Sequence, residues 1–262
     1  MIESRHKEKV REYFDNDASR YARQRYGDED PQVARPYLER TELVLELFDA
    51  HGKDVLDIGC GPGVLEPALL DRGCRVTAVD FSSGMIDKAR EALRADPRSS
   101  NVSFLRASAD ALPFADASFD AVVCIGVMSY VPDTDRLLRE VGRVLRPSGT
   151  GVFQAQNILS LWEIENRFVR VPYHWTVTKL TGNDIRDADF EVRRFVPGRL
   201  DSRLARAGLV VESFRHYDFY LPFLRRLAPA LDVKFATFMR RYRRSRLIGH
   251  LGTGYLVKVR HA

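Results

Sequence analysis

The stretch Val55-Leu56-Asp57-Ile58-Gly59-Cys60-Gly61-Pro62-Gly63 constrains this chain more than any other. A short apolar run closed by alternating glycines reads as a buried parallel strand that delivers the backbone into a tight turn. There, N–H groups can approach a ligand with no Cβ in the way. Val64 to Leu70 reads as the helix that follows, and Pro67 fits it only near its start, where a missing N–H has few obligations. Strand, turn and helix together predict a nucleotide-type cofactor site.

The rest of the chain supports that placement. Residues 3–50 read as helices, with Val10, Tyr13, Phe14 and Tyr21 at helical spacing and a later apolar face of Val33, Tyr37, Thr41, Val44, Leu45 and Phe48. Gly27 to Pro31 interrupts them as a loop. Arg75 to Asp80 reads as a second strand that ends in a carboxylate, and Ser82 or Ser83 can cap the helix running to Leu93. Asp80 stands where a carboxylate can accept two hydrogen bonds from a ribose diol. Further strands are expected over Asn101–Arg106, Phe119–Ile125 and Thr150–Ala155, with a helix over Arg136–Leu145. This alternation predicts an α/β doubly wound, mostly parallel sheet with its ligand at the strands' carboxyl ends.

A chain of 262 residues that is 45% hydrophobic can bury one sizeable core. The net charge of +5 permits nucleic acid, anionic lipid or an acidic substrate without choosing among them. Cys60, Cys74 and Cys124 show no C-x-x-C spacing, which suits unpaired thiols in a reducing compartment and predicts no metal site. No run approaches the ~18 apolar residues of a spanning helix, and the N-terminal residues lack an apolar signal core. A cytoplasmic protein, monomer or homodimer, is expected.

These residues resemble the class I S-adenosylmethionine-dependent methyltransferases, and within them the ubiquinone/menaquinone-biosynthesis type. The resemblance spans about residues 50–157. It rests on Val55–Gly63, Val79-Asp80-Phe81-Ser82 with Met85, Ala109 to Phe114, Ser118-Phe119-Asp120 and Arg143 to Pro147, in family order. It implies a Rossmann-like, seven-stranded, mostly parallel sheet that binds S-adenosyl-L-methionine and releases S-adenosyl-L-homocysteine. In that reading Gly59, Gly61 and Gly63 pack against the methionine portion, and Asp57 helps order the loop and its amino-acid end. Asp80 holds the ribose, Phe81 and Met85 flank the adenine, and Ala109 and Asp110 reach its edge, Asp110 through the exocyclic amine. Ile125, with Cys124 and Gly126, lines the sulfonium region. Residues 1–50 form a helical flap with Tyr21 as a carboxylate ligand, and residues 51–262 the methyltransferase domain. Ser129 and Tyr130 stand where the family often carries a histidine pair, so no histidine role transfers there. A dinucleotide site is the rival for the glycine loop, but the third glycine spacing of G-x-G-x-x-G is missing.

The acceptor side departs from the minimal fold. Residues 156–197 carry Trp162, Phe168, Tyr173, His174, Trp175 and Phe195, an aromatic-rich insertion expected to cap the substrate mouth. His174 is the candidate general base, although a histidine in such a stretch is more often a packed or surface residue. Tyr130 is the second catalytic candidate, at the exit of the fourth strand. A base is not obligatory: methyl transfer to oxygen, nitrogen or carbon depends chiefly on alignment, worth roughly 7 to 11 kcal/mol at the limit. Residues 200–207 read as a helix, Leu209–Phe214 as the sixth strand and Gly252–Val259 as the last.

Residues 221–247 read as a basic amphipathic helix with Leu231, Phe235, Phe238, Met239 and Tyr242 in one stripe and five arginines at its end. That pattern leaves peripheral contact with an anionic membrane open, beside the plainer reading of a helix packed on its own domain. A small, hydrophobic or aromatic acceptor is the leading expectation. The alternatives are a nucleic-acid methyltransferase, and a membrane- or partner-binding protein with a structural cofactor. Nucleic acid is disfavoured because Cys124 to Val127 lacks the Asn/Asp-Pro-Pro-aromatic motif that holds a base amine.

Overall fold

Val55 to Ile58 are all buried because the first strand lies mid-sheet, with helices on both faces. In the computed structural model, which describes residues 2–27, 31–172, 175–176, 179 and 192–262, two helices come first: α1 (Ile2–Tyr26) and α2 (Pro31–Leu47). Strands β1 (Asp54–Ile58), β2 (Arg75–Asp80), β3 (Val102–Arg106), β4 (Phe119–Cys124), β5 (Leu145–Gln156), β6 (Leu209–Tyr217) and β7 (Gly254–His261) form one sheet. Its order is β3-β2-β1-β4-β5-β7-β6, parallel except for β7, which inserts antiparallel between β5 and β6. The order reverses between β1 and β4, so their loops diverge and leave a crevice at the carboxyl ends.

The helices α3 (Glu66–Leu70), α4 (Ser83–Leu93), α5 (Thr134–Val144) and α6 (Leu161–Glu165) follow their strands, and α7 (Pro197–Arg206) leads into β6. Ser82 caps α4 by accepting from the Met85 N–H at 3.1 Å, and Asp133 caps α5 through the Arg136 N–H at 2.9 Å. α3 begins three residues past Gly63, because the turn runs on through Leu65, and Pro67 sits in its first turn as expected. Two apolar cores result, one on each sheet face. One joins Leu137, Leu138, Leu200 and Leu204 to β4, β5 and β7. The other joins Leu43, Val44, Phe48, Leu69 and Ile86 to β1, β2 and β4.

The segment 221–247 is not one helix. It divides into α8 (Pro222–Leu227) and α9 (Pro229–Met239), followed by a single 3-10 turn at Arg240–Tyr242. Ala228 takes φ −146°, ψ 68°, the non-helical backbone that a following proline imposes, and Pro229 restarts the helix as its first residue. The expected apolar stripe also does not pack as a unit, since Leu231 is 53% exposed and Phe238 47%. Of the stripe Met239 is buried, and the other buried residues of α9 are Asp232 and Ala236. Asp232 sets that rotation by pairing with Arg225 at 3.3 Å and Arg35 at 3.5 Å and accepting the Leu221 N–H at 3.1 Å.

Candidate active site

The glycine loop leaves β1 with Gly59 and Cys60 both donating to the Val79 carbonyl, at 2.7 and 3.1 Å, which ties it to the end of β2. Gly59 has φ +73°, and a Cβ there would stand 2.1 Å from Val127 Cγ2, so only glycine fits. Gly61, at φ +55°, has open space where its Cβ would be, and it donates its N–H to Asp80 Oδ2 at 3.0 Å. Asp80 Oδ1 accepts from the Ser82 N–H at 2.8 Å. Each Asp80 oxygen thus keeps a lone pair for a further donor. Burial outweighs these backbone donors and raises the Asp80 pKa above its ordinary value.

One cavity opens in front of this loop. Gly59, Gly61, Asp80, Phe81, Met85, Ala109 and Ile125 all line it, so most of the expected cofactor residues come together. Tyr21 lines it from α1, with Lys7, Val10 and Phe14 earlier on the same helix. Gly63 is not among its lining residues. Its missing Cβ admits α4, for a Cβ would meet Ala89 Cα at 2.9 Å. Asp110 is fully buried behind the cavity, where it pairs with Lys7 Nζ at 2.6 Å and accepts from Ser108 Oγ at 2.6 Å. Burial opposes ionisation of Asp110, but these two donors hold its pKa low.

Asp57 lies behind the glycine loop, lining a narrow cleft with Tyr26, Arg40, Thr41 and Gly59. Burial, then the Asp80 carboxylate, pushes its pKa up to about 7. Neighbouring Glu66 is wholly buried, and burial followed by Asp57 raises it well above the usual carboxylate range. Asp57 Oδ2 and both Glu66 oxygens make no hydrogen bond among the described residues. A site this acidic calls for a cationic ligand group.

Arg40, on α2, answers the acids and was not singled out by the sequence reading. It is 9% exposed and reaches the cleft, the cavity in front of the glycine loop and a second cavity beside that one. It donates to the Tyr26 hydroxyl at 2.5 Å, lies 5.0 Å from the Tyr37 ring centroid, and leaves its Nε without a partner among the described residues. The available signal was its position three residues after Tyr37 and four before Val44, a cation inside an apolar helical face. A glycine cradle, a ribose-type carboxylate, buried acids and one buried guanidinium fit a cofactor with a diol and an amino-acid end.

A second cavity of about 400 Å³ adjoins the first, and Tyr21, Arg40, Gly126 and Tyr130 line both. Its walls come from distant segments: Tyr37 of α2, Gln154 and Gln156 of β5, Trp162 and Glu163 of α6, Tyr217 at the end of β6 with Asp218 and Tyr220 just past it, and Gly254 of β7. Gln154 Oε1 accepts from the Gly126 N–H at 2.9 Å, which orients its amide and leaves the NH₂ group for another partner. Asp218 holds a left-handed φ of 54° as a non-glycine, a conformation stabilised by Thr253, whose Oγ1 donates to Asp218 Oδ2 at 2.5 Å. Burial raises the Asp218 pKa against the opposing Thr253 hydrogen bond and Arg225 charge.

Of the two catalytic candidates, Tyr130 reaches both cavities, with its ring edge-on to Phe14 at 5.3 Å. Burial pushes its phenol up to about 12, so near neutral pH it is a hydrogen-bonding group and not a base. His174 and Tyr173 lie outside the described residues. No group of three or more His, Cys, Asp or Glu arranged to hold a metal occurs among the described residues. The arginines that follow α9 are engaged on the chain itself: Arg240 pairs with Glu39 at 3.1 Å, Arg243 with Glu46 at 3.2 Å, and Arg246 with Asp201 at 3.6 Å. Among the described residues, no helix is long and apolar enough to cross a membrane.

Sheet order, glycine loop and the acid at the tip of β2 define the seven-stranded methyltransferase fold. Residues 56–153 match the family described as "Methyltransferase domain", so the chain carries a methyltransferase domain over that stretch. It is 38% identical over 126 residues to the methyltransferase GfsG of Streptomyces halstedii, covering 46% of this chain and 45% of that one. It is 30% identical over 118 residues to a ubiquinone biosynthesis O-methyltransferase of Coxiella burnetii, covering 45% and 50%. The chain therefore spans about half the length of these curated relatives. Among solved structures, the [4+2]-cyclase SpnF superposes with a TM-score of 0.65 at 18% identity, over 97% of this chain and 96% of that one. An S-adenosylmethionine-dependent methyltransferase from Methanosarcina mazei superposes with a TM-score of 0.57 at 20% identity, over 83% and 96%. These last two likenesses concern the fold.

Proposed function

We propose that this protein transfers a methyl group from S-adenosyl-L-methionine to oxygen, nitrogen or carbon of a small aromatic acceptor by direct displacement. The observation that carries the reading is the junction of the two cavities at Tyr21, Arg40, Gly126 and Tyr130. The bound cofactor supplies an electrophilic methyl on a cationic sulfonium. Asp80 would accept from the ribose hydroxyls, Phe81 and Met85 would hold the adenine, and Arg40 with Tyr21 would receive the methionine carboxylate. Asp57, behind the glycine loop, would favour the α-ammonium by its charge and would give up its proton on binding.

On the acceptor side, Tyr37, Tyr130, Trp162 and Tyr217 supply aromatic walls, while the Gln154 amide and the Tyr130 hydroxyl can hold the acceptor heteroatom in line. Asp218 is the carboxylate placed to take up a proton if the acceptor must lose one. The curated relatives' names, which include a ubiquinone biosynthesis O-methyltransferase, support a small acceptor and favour oxygen. The on-chain pairing of the basic cluster removes the main support for nucleic acid as acceptor. From the expected cap, Gln156, Asn157, Ser160, Trp162 and Glu163 line the acceptor cavity, while residues 173–174, 177–178 and 180–191 lie outside the described residues.

Calorimetric titration with S-adenosylhomocysteine, and labelled methyl donor offered to cell extract split into lipid, nucleic-acid, protein and small-molecule fractions, test the reading. Binding and labelling confined to the small-molecule fraction are expected. A folded protein that neither binds the product nor labels any fraction would end it.

A further inference from the structure

The charged side chains lining the second cavity are Arg25, Arg40, Glu163, Asp218 and Arg225. Both acids already have cationic partners. Glu163 pairs with Arg194, and Asp218 with Arg225 at 3.4 Å. Arg225 also reaches Asp232, which Arg35 pairs in turn. Arg25 and Arg40 have no carboxylate within ion-pairing distance among the described residues. Both guanidinium carbons stand 5.0 Å from the Tyr37 ring centroid, and that of Arg25 is also 5.9 Å from the Tyr21 ring. A guanidinium held over aromatic faces keeps its N–H edge for a planar oxyanion, the geometry that bidentate carboxylate recognition uses.

We infer that the acceptor carries a carboxylate, or an oxyanion of the same shape, seated on Arg25 in the second cavity. This rests on the methyltransferase reading, in which the methionine carboxylate occupies Arg40 and leaves Arg25 as the cation facing the acceptor. The same helix sets the spacing. Tyr21 lines the junction of the cavities and Arg25 follows four residues later on α1, a rise of ~6 Å. The Arg25 guanidinium turns back to within 5.9 Å of the Tyr21 ring, so the anion site lies beside the junction where the methyl group would arrive. A wall of tyrosines, a neutral amide and a guanidinium with no carboxylate partner among the described residues select an aromatic acid over a neutral ring of equal size.

Phenylacetate and its uncharged isostere phenylacetamide serve as probes. Each is titrated into the full chain with and without saturating S-adenosylhomocysteine, so that anion preference is read independently of cofactor binding. The unmodified protein is expected to bind phenylacetate about tenfold more tightly than the amide, the worth of one charge-assisted contact. Arg25→Gln is expected to bring the two to parity, and Arg25→Lys to keep a reduced preference, with S-adenosylhomocysteine affinity unchanged in both. Equal affinity for acid and amide in the unmodified protein would overturn the inference, as would a preference that survives Arg25→Gln. Failure of S-adenosylhomocysteine to bind while the anion preference stands would instead remove the methyltransferase reading.

Discussion

The cavity in front of the glycine loop takes most of its lining from strand ends between Ile58 and Pro132, whereas the cavity beside it is assembled from α1, α2, β5, α6, the turn after β6 and β7. In the first, backbone does much of the work: Gly59, Cys60, Gly61 and Ser82 place their N–H groups on Val79 and Asp80. In the second, side chains carry more of it: the Gly126 N–H orients the Gln154 amide, and the Thr253 hydroxyl holds the Asp218 carboxylate. A cofactor with fixed chemistry suits contiguous motifs, while acceptor choice can vary with scattered side chains on the same sheet.

The sharpest way to break this contrast is Asp80→Ala. Losing the carboxylate that accepts the Gly61 and Ser82 N–H groups and the ribose hydroxyls should weaken S-adenosylhomocysteine binding about 100-fold by calorimetry, whatever acceptor is present. A change confined to acceptor KM would reverse the assignment of the two cavities. Gly59→Ala comes next. The clash with Val127 and the left-handed φ should lower unfolding free energy by about 1–3 kcal/mol and impair cofactor binding. Gly59→Ala combined with Val127→Ala should recover the steric part alone, so full recovery would show that the backbone conformation is not needed.

Asp218→Asn probes the other cavity. It should lower kcat/KM about tenfold while S-adenosylhomocysteine affinity stays within about twofold of the unmodified protein. Equal losses in both would mean that the cavities do not act separately.

A subtler difference appears with pH. Asp57 has a folded pKa of about 7, above its unfolded value, so the folded state holds its proton through the window between them. Its effect on the cofactor-free protein is a loss of stability as pH rises from about 4 to 7, and no further change above. His216 acts with the opposite sign. Burial, then the neighbouring His250, lowers it to about 3, so it costs stability as pH falls below its unfolded value. Comparing thermal midpoints of the unmodified protein and Asp57→Asn cancels the His216 effect. The substitution should raise the midpoint more at pH 8 than at pH 5, and a pH-independent difference would contradict the assigned shift. Cofactor affinity in the unmodified protein should rise over the same window, as Asp57 gives up its proton to face a cation.

The smallest effect concerns α1. Asp15 accepts from Ser82 Oγ at 2.6 Å and from the Gly84 N–H at 3.0 Å, fastening α1 to the start of α4 over the cofactor cavity. Asp15→Ala should cost about 1 kcal/mol at most and show as faster cofactor release in stopped flow. An unchanged release rate would mean that α1 does not gate the cavity.

The legible part of the molecule was the part built from local patterns. Asp80 and the Ser82 cap followed from strand period and capping chemistry, and Gly59, Gly61, Phe81, Met85, Ala109 and Ile125 do line one cavity. Arg40 escaped notice because a cation in an apolar face normally marks a helix edge. Here Tyr26 and Tyr37 bury it instead. Arg25, Gln154 and Asp218 carried no signal, since nothing nearby in sequence distinguishes them from ordinary surface or strand residues. The helix expected over 221–247 failed at Pro229, and its stripe failed because ion pairs to Asp232 outweighed apolar periodicity.

By itself, the sequence determined the alternating sheet, the glycine turn and the acid that follows it, because strand period, left-handed glycines and capping depend on neighbours a few residues apart. The meeting of Arg25, Arg40, Gln154 and Asp218 around one space was decided only by the tertiary structure. Those residues lie on elements brought together by sheet order and helix rotation, which are set by the packing of the whole core.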